Sequence, residues 1–331
     1  MTLIRRVFAV LAVLVTVSAS VACSSGAPSA SSPSASSPSR SPSGTVPEKT
    51  SIVVGVLPAV NTASLYLAIK EGYFAQAGLT VTPRQLAAST EAIPSMLHGS
   101  IDISSGNMDS YLAAQASGVV SLRILSETAL CSPGTLAVLT MPRTGITNAA
   151  QLAGKTVAVA LDPNIQTLTI NRLLGAAAAE AVHYVVVPFA DMGAELAAGK
   201  VDAIATLEPY ISAVEHTDGA KVVLDQCAGA NIDLPLGGYF ATASWAAKYP
   251  DTARAFQRAL GRAQALANSD PALLRQILPT FMKVTPQVAT KVGLPRLAVE
   301  LNEAAIQEVA DLGRAGGELK RQVDVAPLLF R

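Results

Sequence analysis

Apolar and polar positions along this chain fall into blocks whose period switches between two and about three and a half, the mark of strands interleaved with helices. The series opens at Ile52-Val53-Val54-Gly55-Val56-Leu57. The spacing predicts strands over 52–57, 79–84, 101–105 and 121–127, with helices over 62–71, 89–98 and 108–116 between them. Gly72 ends the first helix, supplying the left-handed residue that a helix C-terminus favours. After the apolar run 135–140 a second series follows, with strands over 156–161, 183–187, 201–206 and 221–224 and helices over 166–178, 191–198 and 209–215. A short strand over 238–242 is expected to return to the first series. From 244 to 331 the pattern is mainly helical, with Ala253, Phe256, Leu260 and Ala263 on one face. Strands separated by helices of this length imply parallel sheet.

The two series resemble each other. Leu97-His98-Gly99-Ser100-Ile101-Asp102-Ile103 returns as Ala197-Ala198-Gly199-Lys200-Val201-Asp202-Ala203, each copy following an Ala-rich helix and opening an apolar strand. The strand at Ile52 likewise matches Thr156-Val157-Ala158-Val159-Ala160-Leu161. Two similar α/β units predict two similar lobes. Open α/β sheets bind ligands beyond the carboxyl ends of their strands, so two facing lobes make a cleft. The repeat therefore points to binding between lobes rather than chemistry on one of them. Asp102 and Asp202 recur at strand starts, the end away from the cleft, and read as structural.

Residues 1–22 carry Arg5 and Arg6 ahead of a mostly apolar stretch with a small-residue end, which is a secretory signal pattern and too short for a spanning helix. Ser20-Val21-Ala22-Cys23 resembles a bacterial lipobox, although Ser20 stands where Leu is usual, and the resemblance implies lipidation of Cys23. An ordinary signal peptide with an incidental Cys, or an uncleaved anchor, are the alternatives. Residues 24 to about 47 are almost entirely Ser, Pro, Ala and Gly, cannot offset their ordering entropy, and read as a disordered tether. The expected location is the outer face of the cytoplasmic membrane, with the membrane contacted through the N-terminal lipid.

The chain has 24 basic and 24 acidic residues; loss of Arg5 and Arg6 leaves a slightly acidic remainder with no basic field for nucleic acid. The three histidines, His98, His183 and His216, have no metal-ligand spacing, and no cofactor or metal is called for. With Cys23 lipidated, Cys131 and Cys227 are the only thiol pair of an exported domain and are expected to form a disulfide. The alternative is two buried thiols that never meet.

Further motifs complete a family pattern: Glu71-Gly72-Tyr73-Phe74 followed by Gly78-Leu79-Thr80-Val81, Leu152-Ala153-Gly154-Lys155-Thr156-Val157, Glu208-Pro209-Tyr210, and Trp245-Ala246-Ala247-Lys248-Tyr249-Pro250. In order and spacing over 50–331 they resemble the extracytoplasmic substrate-binding proteins of ABC importers, in the nitrate/sulfonate/taurine and thiamine-precursor group. The resemblance implies an α/β type II periplasmic-binding-protein fold, two α/β lobes joined by two hinge crossovers, closing on a small solute by hinge motion. It also implies a monomer that delivers the solute to an ABC permease and its ATPase. The expected domains are the signal at 1–22, lipidated Cys and linker at 23–48, lobe I at 49–140 and 236–331, and lobe II at 141–235. A solute sensor is the alternative, and a biosynthetic enzyme on the same fold a more distant one; no Gly-x-Ser-x-Gly elbow or phosphate-binding glycine loop is present.

Strand-end loops supply the ligand-binding candidates: Asn61, Thr62, Asn107 and Asp109 in lobe I, Asn164, Gln166, Thr167, Glu208 and Tyr210 in lobe II, and Tyr239 near the return crossing. Asn61, Thr62 and Asn164 to Thr167 either cap the helices they precede or leave backbone N–H groups for an anion. Glu208 either favours a helix N-terminus or faces the cleft. Tyr210 and Tyr239 either stack on a flat ligand or pack, and Trp245 reads as a packing residue. These loops hold carboxylates but no Lys or Arg, so an Arg-fork site for phosphate is disfavoured. A neutral, zwitterionic or cationic solute fits better, and a sulfonate held by N–H and hydroxyl groups stays open.

Overall fold

Two five-stranded sheets with the same layout organise residues 46–331, the part of the chain that this computed structural model describes. The signal pattern, Cys23 and most of the expected linker lie outside the described residues. In the first sheet the strands are β1 (Ser51–Val56), β2 (Thr80–Gln85), β3 (Ile103–Asn107), β4 (Leu122–Glu127) and, from much later in the chain, β10 (Gly237–Thr242). In the second they are β5 (Leu136–Thr140), β6 (Thr156–Val159), β7 (His183–Val186), β8 (Ala203–Leu207) and β9 (Lys221–Asp225). The orders are β2-β1-β3-β10-β4 and β7-β6-β8-β5-β9. β1 is parallel to β2 and β3, and β6 to β7 and β8. β10 and β5 run antiparallel to both of their neighbours, so each sheet is mixed rather than purely parallel.

The repeat has a physical basis at its Gly and Asp. Gly99 and Gly199 take φ of 75° and 71°, the left-handed region that glycine enters without steric cost, and end the preceding helices. Ser100 and Lys200 then donate back to the carbonyls of Ser95 and Glu195 at 2.9 and 3.0 Å. Asp102 and Asp202 bracket the neighbouring strand: their N–H groups donate to Val53 and Thr156 carbonyls, and their carboxylates accept the Val53 and Thr156 N–H groups, all at 2.9 Å. The strands consequently begin at Ile103 and Ala203, two residues later than their patterns suggest. Asp102 also accepts from Trp245 Nε1 at 2.7 Å, which fixes Trp245 as a packing residue.

Apolar side chains cover both faces of each sheet. Ile52, Val54, Val56 and Tyr239 pack with Phe256 and Leu260 of the helix Pro250–Ser269 on one face of the first sheet; Leu122, Ile124 and Phe240 face the opposite cluster. The expected face of Ala253, Phe256, Leu260 and Ala263 is fully buried there. Glu48 accepts the backbone N–H groups of Asp251 and Thr252 at 3.0 and 2.9 Å, capping that helix from a distance in sequence. Pro47 is buried and packs near Gly78. The linker expected to reach 48 thus ends before Pro47, because these residues have partners in the domain.

Two further expectations are corrected. The run 135–140, placed with lobe I, is β5 of the second sheet: all five residues are buried, paired with β8 and β9. The first crossing therefore lies between Glu127 and Leu136, not near 140. The helix expected over 166–178 is two, Ile165–Leu174 and Ala176–Ala179, broken at Gly175, whose φ is 76°. No helix of the described residues is long and apolar enough to cross a membrane.

Candidate functional site

The carboxyl ends of β1 and β3 in lobe I, and of β6 and β8 in lobe II, carry the loops where a ligand is expected. The lobes meet there through a short cross-lobe bond: Ile165 N–H, opening the helix Ile165–Leu174, donates to Asp109 Oδ2 at 2.6 Å. Asp109 lies in the first turn of the helix Met108–Ser117 and is fully buried. Its Oδ1 has no donor partner, nor does Oε2 of Glu318, the carboxyl that faces it. Burial pushes Asp109 up to about 6; burial and the Asp109 charge push Glu318 up to about 9. One proton shared between the two carboxyls satisfies both orphan oxygens and leaves a single negative charge on the pair near neutral pH.

Of the other lobe II candidates, Asn164, Gln166, Thr167 and Glu208 are bonded to the protein itself. Asn164 Oδ1 accepts from the Gln166 and Thr167 N–H groups at 3.0 and 3.3 Å, and Asn164 N–H donates to Thr167 Oγ1 at 3.0 Å. Gln166 bridges Ala160 N–H and the Ala205 carbonyl, at 3.0 and 2.7 Å. These three form a helix start of the capping kind, tied to β8. Glu208 accepts from Ser212 Oγ at 2.7 Å, from Ser212 N–H at 3.2 Å and from Gly293 N–H at 3.1 Å. It caps the helix Tyr210–Asp218 and fastens a C-terminal loop to lobe II, while burial raises its pKa. Tyr210 stacks on Phe189, ring centroids 5.7 Å apart, and is half-buried.

In lobe I the hydroxyl of Thr62 donates to the Leu57 and Ala59 carbonyls, both at 2.8 Å. Asn107 caps nothing with its side chain and is half-buried at the end of β3. Tyr239 takes the packing alternative: it is fully buried, edge-on to Phe256 at 5.5 Å, because its β10 position faces the lobe I core. Its hydroxyl, Ser64 Oγ and Asn61 Oδ1 are buried polar atoms without partners near the start of the helix Ala63–Lys70. Ser64 escapes the sequence reading, because a Ser inside an apolar helix start carries no signal of its own.

A three-segment ribbon forms the hinge. Residues 128–131 are flanked on one side by 233–237, through Thr128 N–H to Gly237 O, Leu236 N–H to Ala129 O and Cys131 N–H to Leu234 O. On the other side Leu130 N–H donates to Arg296 O and Ala298 N–H to Thr128 O, so a third segment joins the two expected crossings. Cys131 and Cys227 are disulfide-bonded, with Cα atoms 5.0 Å apart and both side chains fully buried. A groove of about 690 Å³ runs beside this ribbon. Apart from Leu130 and Asp233, at the crossings, its walls hold none of the expected cleft loops. Glu127 sits in it, pushed up to about 7 by burial, with Oε1 accepting Asn302 N–H at 2.5 Å.

Residues 59–273 match the family model described as NMT1/THI5 like. No curated protein matches the chain in sequence. Among solved structures it is similar to the alkanesulfonate-binding protein SsuA from Xanthomonas axonopodis pv. citri, bound to MOPS: 23% identity over 86% of this chain and 99% of that one, TM-score 0.72. It is also similar to the periplasmic nitrate-binding protein NrtA from Synechocystis PCC 6803, at 16% identity over 85% of both chains, TM-score 0.70. A desulfurization enzyme, DSZB, shares the fold at 17% identity over 85% of this chain and 96% of that one, TM-score 0.63. The fold is thus that of the two-lobed periplasmic binding proteins, as the sequence resemblance implies.

Proposed function

The chain belongs to the NMT1/THI5-like family, and we propose that it is the extracytoplasmic solute-binding component of an ABC importer, capturing a small solute between its lobes. The observation that carries this reading is the pair of matched lobes that meet at their strand-end loops through Asp109 and Ile165 and are joined by one hinge ribbon. A hinged pair of lobes closes on what lies between them. The sulfonate- and nitrate-binding proteins that share the fold support a small-solute ligand. The lipobox-like Ser20-Val21-Ala22-Cys23 and the Ser/Pro tether support export and anchoring by lipid on Cys23, with delivery to a membrane permease and its ATPase. On this reading Asn61, Asn107 and Tyr210 are the candidates with side chains left to meet a solute, while Thr62, Asn164, Gln166, Thr167 and Glu208 shape the loops.

Thermal melting of the purified protein against alkyl sulfonates, taurine, nitrate, substituted pyrimidines, amino acids and polyamines tests the proposal. A solute present at a hundred times its Kd stabilises the folded state by about 2.7 kcal/mol, a shift of several degrees. A shift confined to one chemical class, with no turnover of that solute, supports a binding protein. Turnover of a bound sulfur compound would instead favour the enzymatic reading that the likeness to a desulfurization enzyme keeps in view.

A further inference from the structure

Helix N-termini at strand ends are natural anion sites, since their first N–H groups lack intrahelical acceptors. In lobe II the protein fills one of the N-termini at the cleft completely and the other in part. In the helix Ile165–Leu174, Ile165 N–H donates to Asp109 Oδ2, Gln166 and Thr167 N–H to Asn164 Oδ1, and Leu168 N–H to the Asn164 carbonyl. In the helix Tyr210–Asp218, Ser212 N–H donates to Glu208 and Ala213 N–H to the Pro209 carbonyl. Arg172, on the first of these helices, pairs through Nη2 with Glu308 at 2.5 Å, and Arg296 of the hinge ribbon pairs with Asp233.

Asp109 is the notable acceptor because it comes from the opposite lobe. It is fully buried, one oxygen on the helix N-terminus and the other without a donor, facing Glu318. With one proton shared, the pair presents a single negative charge to a positive helix end, as a bound nitrate or sulfonate would.

We infer that Asp109 sets the charge class of the solute: it occupies the lobe II helix as a built-in monovalent anion, so the cleft takes a solute without net negative charge and excludes nitrate and alkanesulfonates. The inference rests on the solute-binding reading. An external anion at the helix turn that Asp109 caps meets no free N–H group and a resident like charge. At about 5 Å and an effective dielectric of about 20, that repulsion alone weakens binding roughly 250-fold.

The test is calorimetric titration and melting with nitrate, formate and methanesulfonate on the wild type, Asp109→Ala and Asp109→Asn. The wild type is expected to ignore all three at millimolar concentration. Asp109→Ala is expected to gain at least about tenfold in affinity for an anion, formate above all, because formate restores the excised carboxylate. Asp109→Asn keeps the side-chain shape and reads the charge alone; it too is expected to gain anion response, and it decides the matter should the Ala variant not fold. Stabilisation of the wild type by nitrate or methanesulfonate overturns the inference, as does an absence of gain in every variant that folds. Failure of the solute-binding reading looks different: no solute of any charge shifts the wild type, while the anion gain of the variants still reports on Asp109.

Discussion

Four carboxyls with raised pKa values, Asp109, Glu127, Glu208 and Glu318, shape how this protein responds to pH. Asp109, Glu127 and Glu318 are held up to about 6, 7 and 9, each with burial as its largest cause. A carboxyl whose folded pKa is raised binds its proton more tightly in the native state, so its contribution is fully present below its unfolded pKa, near 4, and is lost as pH rises through the folded value. These groups therefore favour the fold most near pH 4, and their contribution is expected to decline from there to about pH 9, most steeply below pH 6. Melting curves collected across that range check the direction, and Glu318→Gln, which cannot ionise, is expected to flatten the upper part of the decline. A melting temperature that climbed from pH 6 to 9 would contradict it. Neither Glu127 nor Glu318 announces itself in sequence: Glu318 meets Asp109 across more than two hundred residues, and only the fold puts them together.

At the level of elements, the Gly–Asp repeat gives each lobe the same joint between a helix and two strands, but the joints carry unequal loads. Asp102 is buried and holds Val53 N–H, Trp245 Nε1 and Lys49 Nζ, the last two at 2.7 and 2.5 Å. Asp202 is half-buried and holds Thr156 N–H. Asp102→Ala is expected to cost about 2–4 kcal/mol, since it leaves several donors without acceptors, and Asp202→Ala about 1 kcal/mol; urea denaturation of the two variants measures the difference. This joint was legible because it is local: Gly ends a helix, Asp follows three residues later, and an apolar strand comes next. The apolar run at Leu136 was misassigned because five consecutive buried residues suit a central strand in either sheet, and pairing with β8 and β9 is decided far along the chain. The same distance problem hid Asp109, Asn164 and Gln166: the sequence placed them in cleft loops, but whether each serves a solute or its own helix depends on which backbone lies opposite.

For the molecule as a whole, the hinge is the element that function places under most demand, and the disulfide sits at its lobe II end. Reducing Cys131–Cys227, or replacing Cys227 by Ser, is expected to lower stability by about 2–4 kcal/mol, given a bridge that spans 96 residues. The ribbon hydrogen bonds do not involve the sulfur atoms, so closure should persist with altered kinetics, readable by stopped-flow fluorescence once a solute is known. The bridge also ties together the two ends of a continuous stretch, because every strand of the second sheet lies between Cys131 and Cys227. The first sheet is built otherwise: β3 and β4 are not neighbours but stand two strand-spacings apart, about 9.5 Å, with β10 between them. A chain that emerges N-terminus first can thus finish and seal its second lobe while the first still lacks its inner strand. Until Gly237–Thr242 arrives, β3 and β4 present unpaired backbone to anything nearby, and the interval between the two events is when this protein has most need of a chaperone.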